Sequence, residues 1–252
     1  MKKILEAVVG STVHGTSVSD GLEDLDLMAV VIEDQASFCG FSPKHVWTQR
    51  TKPEGVRSES GDTDWVGYGL RKYLGLVLKG NPSALLALFT PHASIREITE
   101  EGHELRALAP AIASKAAYMP FKGYMRQQHE RLLGLRGQKN VTRPELVKAY
   151  GYDTKYAGHI IRLGCQGTEF ISTGRITLPM REEERALVVK VRTGGFSLDQ
   201  VSALINESRV KLDDAFAGSR LQDEPDIQAV EAWMLKTYLN RWNQQACPEG
   251  IS

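Results

Sequence analysis

The sequence predicts an α+β protein in two parts, an α/β stretch over about residues 1–95 and a mostly helical stretch over 96–252. Three observations carry this. Two short apolar runs, Ile4–Val9 and Leu25–Ile32, have the length of strands, and the second is apolar enough to be central in a sheet. From Glu97 onward the pattern becomes helical, punctuated by Pro110, Gly137, Pro144, Gly151 and Pro179. Charge is also segregated: residues 1–34 hold two basic and seven acidic side chains, whereas residues 115–163 hold ten basic and three acidic.

Taken in order, Ile4–Val9 reads as a strand running into the turn Gly10-Ser11, and Leu25–Ile32 as a second strand. Residues 34–63 mix Gly, Pro, Ser and charge without periodicity, which predicts a long loop or a hairpin. The WVGYGL run after Asp64 predicts a third strand, feeding a helix that stops at Gly80-Asn81-Pro82. A short helix follows over Ser83–Phe89, and further helices are expected over Glu97–Ala109, Ala111–Leu135, Asp153–Leu163, Glu182–Thr193, Leu198–Ala217 and Pro225–Trp242.

Composition narrows the function classes. The chain has 252 residues with 31 basic and 31 acidic side chains, so its net charge is zero, which excludes a strongly basic nucleic-acid coat but not local patches. Cys39, Cys165 and Cys247 show no CxxC spacing, which argues against a disulfide framework or a cysteine zinc site. The opening MKKILEAVVGS is too short in apolar run for a signal peptide, and no stretch approaches the roughly 20 apolar residues of a membrane span. A cytoplasmic location is expected.

The chemistry concentrates in Gly10-Ser11 followed, after twelve residues, by Asp24-Leu25-Asp26-Leu27. Two carboxylates at i and i+2 of a strand share a face and repel each other unless a cation lies between them. Hard cations such as Mg²⁺ take carboxylate oxygens and complete their shell with water and substrate phosphates. A Gly-Ser turn permits close backbone approach and offers donors to a phosphate. A third acid from another strand would complete a two-metal site; Asp64, at the head of the third strand, is the better candidate and Asp62 the other.

This arrangement, GS-x₁₂-DLDL, resembles the signature of the DNA polymerase β superfamily of nucleotidyltransferases. GDTDWVGYGLRKYLGLVLKGNP and RPELVKAYGYDTKYAGHIIRLGCQGTEF resemble a bacterial and phage branch that includes nucleotidyltransferases associated with RNA ligases. The resemblance covers roughly residues 4–242. It implies a small mixed sheet with helices in a catalytic domain (residues 1–95) and a helical nucleotide- and acceptor-binding domain (residues 96–252). It further implies that Asp24, Asp26 and Asp64 bind two Mg²⁺ ions (Mn²⁺ being an alternative), while Gly10 and Ser11 hold the nucleotide phosphates.

In the second half, Lys155, His159 and Arg162 fall at i, i+4 and i+7, a cationic stripe suited to the β- and γ-phosphates, with Asp153 as N-cap. Tyr152 is a candidate for stacking on the base. Arg71 and Lys72 are candidates for reaching the phosphates from the start of the helix after the third strand. Arg126, Arg131, Arg136, Lys139 and Arg143, with Tyr124 among them, could track a nucleic-acid backbone or form a solvated face. His14 could touch substrate or serve the turn. The expected reaction transfers NMP from an NTP, with ATP as a candidate donor, to a hydroxyl acceptor and releases pyrophosphate. Asp64 is the expected base. An RNA or tRNA end is the first choice of acceptor. The alternatives are nucleotidylation of a protein or small molecule, or a non-catalytic nucleotide sensor on the same fold.

Overall fold

The computed structural model describes residues 1–18, 24–52, 61–135 and 143–246; Arg136 and Lys139 of the basic run lie outside them. Strand β1 (Lys2–Val9) gives way at Gly10, whose φ of 74° is left-handed, to a single helical turn, α1 (Gly10–His14), which Gly15 closes at φ 70°. Strand β2 (Leu25–Ile32) follows, then α2 (Gln35–Cys39), whose N-cap Asp34 accepts the Ser37 N–H at 2.8 Å. Next come β3 (Val46–Arg50), β4 (Thr63–Gly69) and α3 (Leu70–Leu78). The Asn81 side chain caps α4 (Pro82–Phe89), with proline in the first turn where its missing N–H costs nothing. The last strand is β5 (Ile95–Ile98).

Helices make up the rest: α5 (Glu100–Ala107), α6 (Ala109–Ile112), α7 (Tyr118–Leu132), α8 (Pro144–Tyr150), α9 (Thr154–Thr173), α10 (Glu182–Arg192), α11 (Leu198–Gly218) and α12 (Ile227–Ala246). Among the described residues no helix is long and apolar enough to cross a membrane.

The strands form one mixed sheet in the order β3-β4-β2-β1-β5, with β2 and β4 parallel and the other pairs antiparallel. Met28, Val30 and Ile32 share one face of β2 and belong to the buried core, so the helical layer covers that face. Asp26 lies on the same face, two residues before Met28. The core is continuous from Ile4 through the α9 residues Ile160, Ile161 and Phe170 to Tyr238 on α12.

Two later boundaries needed revision, whereas residues 34–63, expected as a long loop or a hairpin, hold α2 and then the hairpin arm β3, which pairs antiparallel with β4. Strand β3 is an edge strand, largely exposed, so its VWTQR sequence lacks the alternation that burial imposes. Ile95–Ile98 pairs with β1 as a strand, and the helix expected from Glu97 starts at Glu100, behind a Thr99 cap. Helix α9 runs ten residues past the expected end at Leu163. Gly164 and Gly167, which weaken helix propensity, sit there because neighbours press close. A Cβ on Gly164 would stand 2.7 Å from Ser208 Cβ, and one on Gly167 2.9 Å from Phe121 Cδ1.

Helix α12 is tied to the sheet by a buried carboxylate. Glu33, at the end of β2, accepts hydrogen bonds from Tyr238 Oη at 2.6 Å and Leu70 N–H at 3.1 Å, and its Oε1 lies 3.1 Å from His45 Nδ1. Its backbone carbonyl accepts the Trp242 indole N–H at 3.0 Å. A buried carboxylate satisfied this fully holds the carboxy-terminal helix against the strand that carries Asp26.

Candidate active site

The sheet register sets the first wall of the site. Across β1, β2, β4 and β3, Val9 pairs with Asp26, Asp26 with Asp64, and Asp64 with Arg50. One rung therefore carries two carboxylates and a guanidinium side by side. Arg50 donates to Asp64 twice, Nε to Oδ1 at 2.8 Å and Nη2 to Oδ2 at 3.1 Å. Asp26 leans over Gly10: a Cβ placed there would lie 2.1 Å from Asp26 Oδ2. With its positive φ, position 10 is closed to other residues on two grounds, which gives the Gly-Ser turn its physical meaning.

Helices α9 and α10 form the second wall. Asp153 accepts the N–H groups of Lys155 and Tyr156, so α9 starts where the N-cap residue predicts. Lys155, His159 and Arg162 then project along one stripe. A cavity of about 170 Å³ is lined by Gly10, Ser11, Asp24 and Asp26 on the sheet side and by Lys155, His159, Arg162 and Arg192 on the helix side. Residues about 130 positions apart in sequence thus face each other, acids opposite bases.

The helix wall is poised by burial. Arg162 Nη1 donates to Gln166 Oε1 at 2.7 Å, leaving the Gln166 amide nitrogen to donate to His14 Nδ1 at 3.1 Å. That network assigns the His14 proton to Nε2. Burial, and then the positive charges of Arg162 and its neighbours, hold both His14 and His159 well below the ordinary imidazole value, so both are neutral near pH 7. Burial, with Arg192 beside it, pushes Arg162 down to about 10.

Other site residues fall elsewhere. Asp64 is next to Asp26 in register but does not line this cavity. Asp62 pairs with Lys52 at 3.3 Å, and its carbonyl accepts the Leu25 N–H. Arg71 and Lys72 are exposed at the start of α3, where the Arg71 guanidinium lies 5.7 Å over the Phe38 ring. Tyr152 is buried and donates to the Phe196 carbonyl at 2.9 Å, outside the cavity. In the basic run, Arg143 pairs with Asp153 at 3.0 Å, and Tyr124 accepts a hydrogen bond from Asn81.

Arg192 escaped sequence reasoning. It ends α10, thirty residues beyond Arg162, and donates to the Thr16 carbonyl. It reaches the cavity because α9 carries glycine at 158, where a Cβ would meet Arg192 Cγ at 2.5 Å. Gly158, one residue before His159, was the available signal.

The chain matches the RNA repair pathway DNA polymerase beta family (RlaP) over residues 1–235. It belongs to that family. Like the other members it is a nucleotidyltransferase of the polymerase β type. Among solved structures it is similar to a nucleotidyltransferase-like protein from Exiguobacterium sibiricum 255-15, at 10% identity over 95% of this chain and 75% of that one, with a TM-score of 0.31. No curated protein matches it.

Among the described residues no group of three or more His, Cys, Asp or Glu side chains stands together as a ready metal cage. The carboxylates at this site are Asp24 and Asp26 on one wall, with Asp64 adjacent to Asp26 in the sheet and clasped by Arg50. One or two carboxylates plus substrate phosphates are what Mg²⁺ uses, and a guanidinium already compensates the charge on this rung. The residues therefore fit a metal that arrives with a nucleotide.

Proposed function

We propose that this nucleotidyltransferase moves an NMP from an NTP, with ATP as a candidate donor, to a hydroxyl at an RNA end and releases pyrophosphate. A single observation carries the reading: one cavity sets Asp24 and Asp26 against Lys155, Arg162 and Arg192, with Gly10 and Ser11 at its edge. Such a dipolar slot suits a metal-bound triphosphate better than a bare anion or a bare cation.

Asp24 and Asp26 would hold Mg²⁺, which when bound supplies charge neutralisation and polarises the phosphate oxygens. Ser11 and the backbone beside Gly10 seat the phosphates against β1. Lys155, Arg162 and Arg192 take the negative charge that builds on the departing pyrophosphate. His14, buried, and His159, half-buried, are both neutral; they shape the pocket and donate hydrogen bonds without adding charge. Asp64, next along the rung, is placed to take the acceptor's proton once Arg50 lets go of it.

The RNA acceptor is supported by the family's description as an RNA repair pathway group. Incubation with α-labelled NTPs and Mg²⁺, offering short RNAs with free or blocked 3′ hydroxyls alongside protein and small-molecule hydroxyls, tests this. Label entering only RNA with a free hydroxyl is the expected result. Label entering protein instead would replace RNA as the acceptor.

A further inference from the structure

A larger cleft lies at the other end of α9 from the cavity just described. Its volume is about 780 Å³, within the range of small-ligand sites. The active-site stripe ends at Arg162, whereas this cleft begins at Thr173; eleven residues at 1.5 Å rise separate them by about 16 Å along the helix.

Its lining has one sign of charge. Arg106, Arg175 and His103 border it, and no Asp or Glu is among its lining residues. Arg106 is half-buried and donates from Nε to the Leu88 carbonyl at 3.1 Å and from Nη2 to the Thr90 carbonyl at 2.6 Å. Those contacts cap the carboxy-terminal end of α4 and use two of the five guanidinium N–H donors. Among the described residues no carboxylate pairs with Arg106 or Arg175: Arg106 rests on the carbonyl end of α4 and Arg175 is exposed. The guanidinium donors that those carbonyls do not use, together with the exposed Arg175, offer charge-assisted hydrogen bonds to an anionic ligand. The remaining wall carries Thr173 and Thr177 beside an apolar surface of Phe89, Ile176 and Leu221. A bare phosphate would leave this surface wet; an anion attached to a flat apolar body covers it.

We propose that this cleft is a second binding site, for a nucleotide unit. Its phosphate sits on Arg106 and Arg175, and its base lies against Phe89, Ile176 and Leu221. The unit is either a free mononucleotide or one nucleotide of an RNA strand, two sources that present the same chemistry. The proposal does not depend on which acceptor the active cavity serves.

Photo-crosslinking with 8-azido-AMP in EDTA tests it, with labelled peptides mapped by mass spectrometry. Label is expected in the segments 89–113 and 173–177. Arg175→Glu reverses an exposed charge, and Ala107→Trp fills the cleft from its exposed rim; each should cut that label at least tenfold without shifting the melting temperature. If Ala107→Trp proves unstable, Arg175→Glu decides alone. A short unlabelled RNA that displaces the label at lower concentration than AMP identifies the strand as the source, and the reverse order identifies the free nucleotide. Label confined to residues 10–26, 155–162 and 188–192, or unchanged in Arg175→Glu, overturns the proposal whatever the active cavity does.

Discussion

Arg50 clasps Asp64 through two hydrogen bonds across the β3–β4 pair, on the rung that also carries Asp26. The carboxylate proposed as the base is thus held by a guanidinium from the sheet edge. Any cation that enlists Asp64 competes with Arg50. In Arg50→Gln, Mn²⁺ should bind up to about tenfold more tightly in an electron paramagnetic resonance titration, and Asp64→Asn should bind it more weakly. The pair is about a quarter to a third exposed, so fold stability should change by less than about 1 kcal/mol. Weaker Mn²⁺ binding in Arg50→Gln would show that Arg50 positions Asp64 rather than competing for it.

Asp24→Asn and Asp26→Asn remove charge from the acidic wall without changing shape. Losing several kcal/mol of charge stabilisation, at about 1.4 kcal/mol per factor of ten, lowers the pyrophosphate-release rate by about 10²–10⁴. The circular dichroism spectrum should stay that of the parent. Parent-like turnover in either variant would remove the mechanism.

Gly10→Ala should be disabling out of proportion to its size. The added Cβ falls 2.1 Å from Asp26 Oδ2, and the backbone there has φ 74°. Left-handed backbone alone costs about 1–2 kcal/mol for a residue with a side chain. Urea denaturation should show at least that loss, and turnover should fall with it because Asp26 must move.

Tyr152 and Arg192 separate packing from function. Tyr152→Phe deletes a hydrogen bond to the Phe196 carbonyl and should cost about 1 kcal/mol of stability while leaving KM for NTP unchanged. Arg192→Gln should raise KM for NTP about tenfold or more with little change in the melting temperature. The opposite assignment of effects would place Tyr152, not Arg192, at the nucleotide.

Stability should fall on acidification through the histidines. His14 and His159 are held below the usual value of 6.5, so between their folded and unfolded values the unfolded chain binds more protons. Their contribution is complete above about pH 6.5 and is lost as pH drops below it. Each histidine adds a slope of up to about 1.4 kcal/mol per pH unit in that window. Urea unfolding at pH 5–7 reads this, and His14→Gln should flatten the curve.

Much of the site was legible because its residues sit at local turns and caps. Gly10-Ser11 ends a strand, Asp24 and Asp26 open one, and Asp153 starts the helix that carries Lys155, His159 and Arg162; each is announced by spacing over a few residues. Strand β5 and the extension of α9 were not legible. The first is defined by hydrogen bonds to β1, the second by close approach of α7 and α11 to Gly164 and Gly167, and neither partner is near in sequence.

What the chain determined alone is an acidic turn-and-strand motif, a basic helical stripe and an α+β order of elements, since these follow from periodicities of two and 3.6 residues and from turn chemistry. Tertiary structure decided that the acids and bases face one another, that Arg50 rather than solvent neighbours Asp64, and that Arg192 joins the wall while Tyr152 does not. Those outcomes depend on strand register and on helix approach distances, which are set by packing between segments that are separate in sequence and leave no local trace.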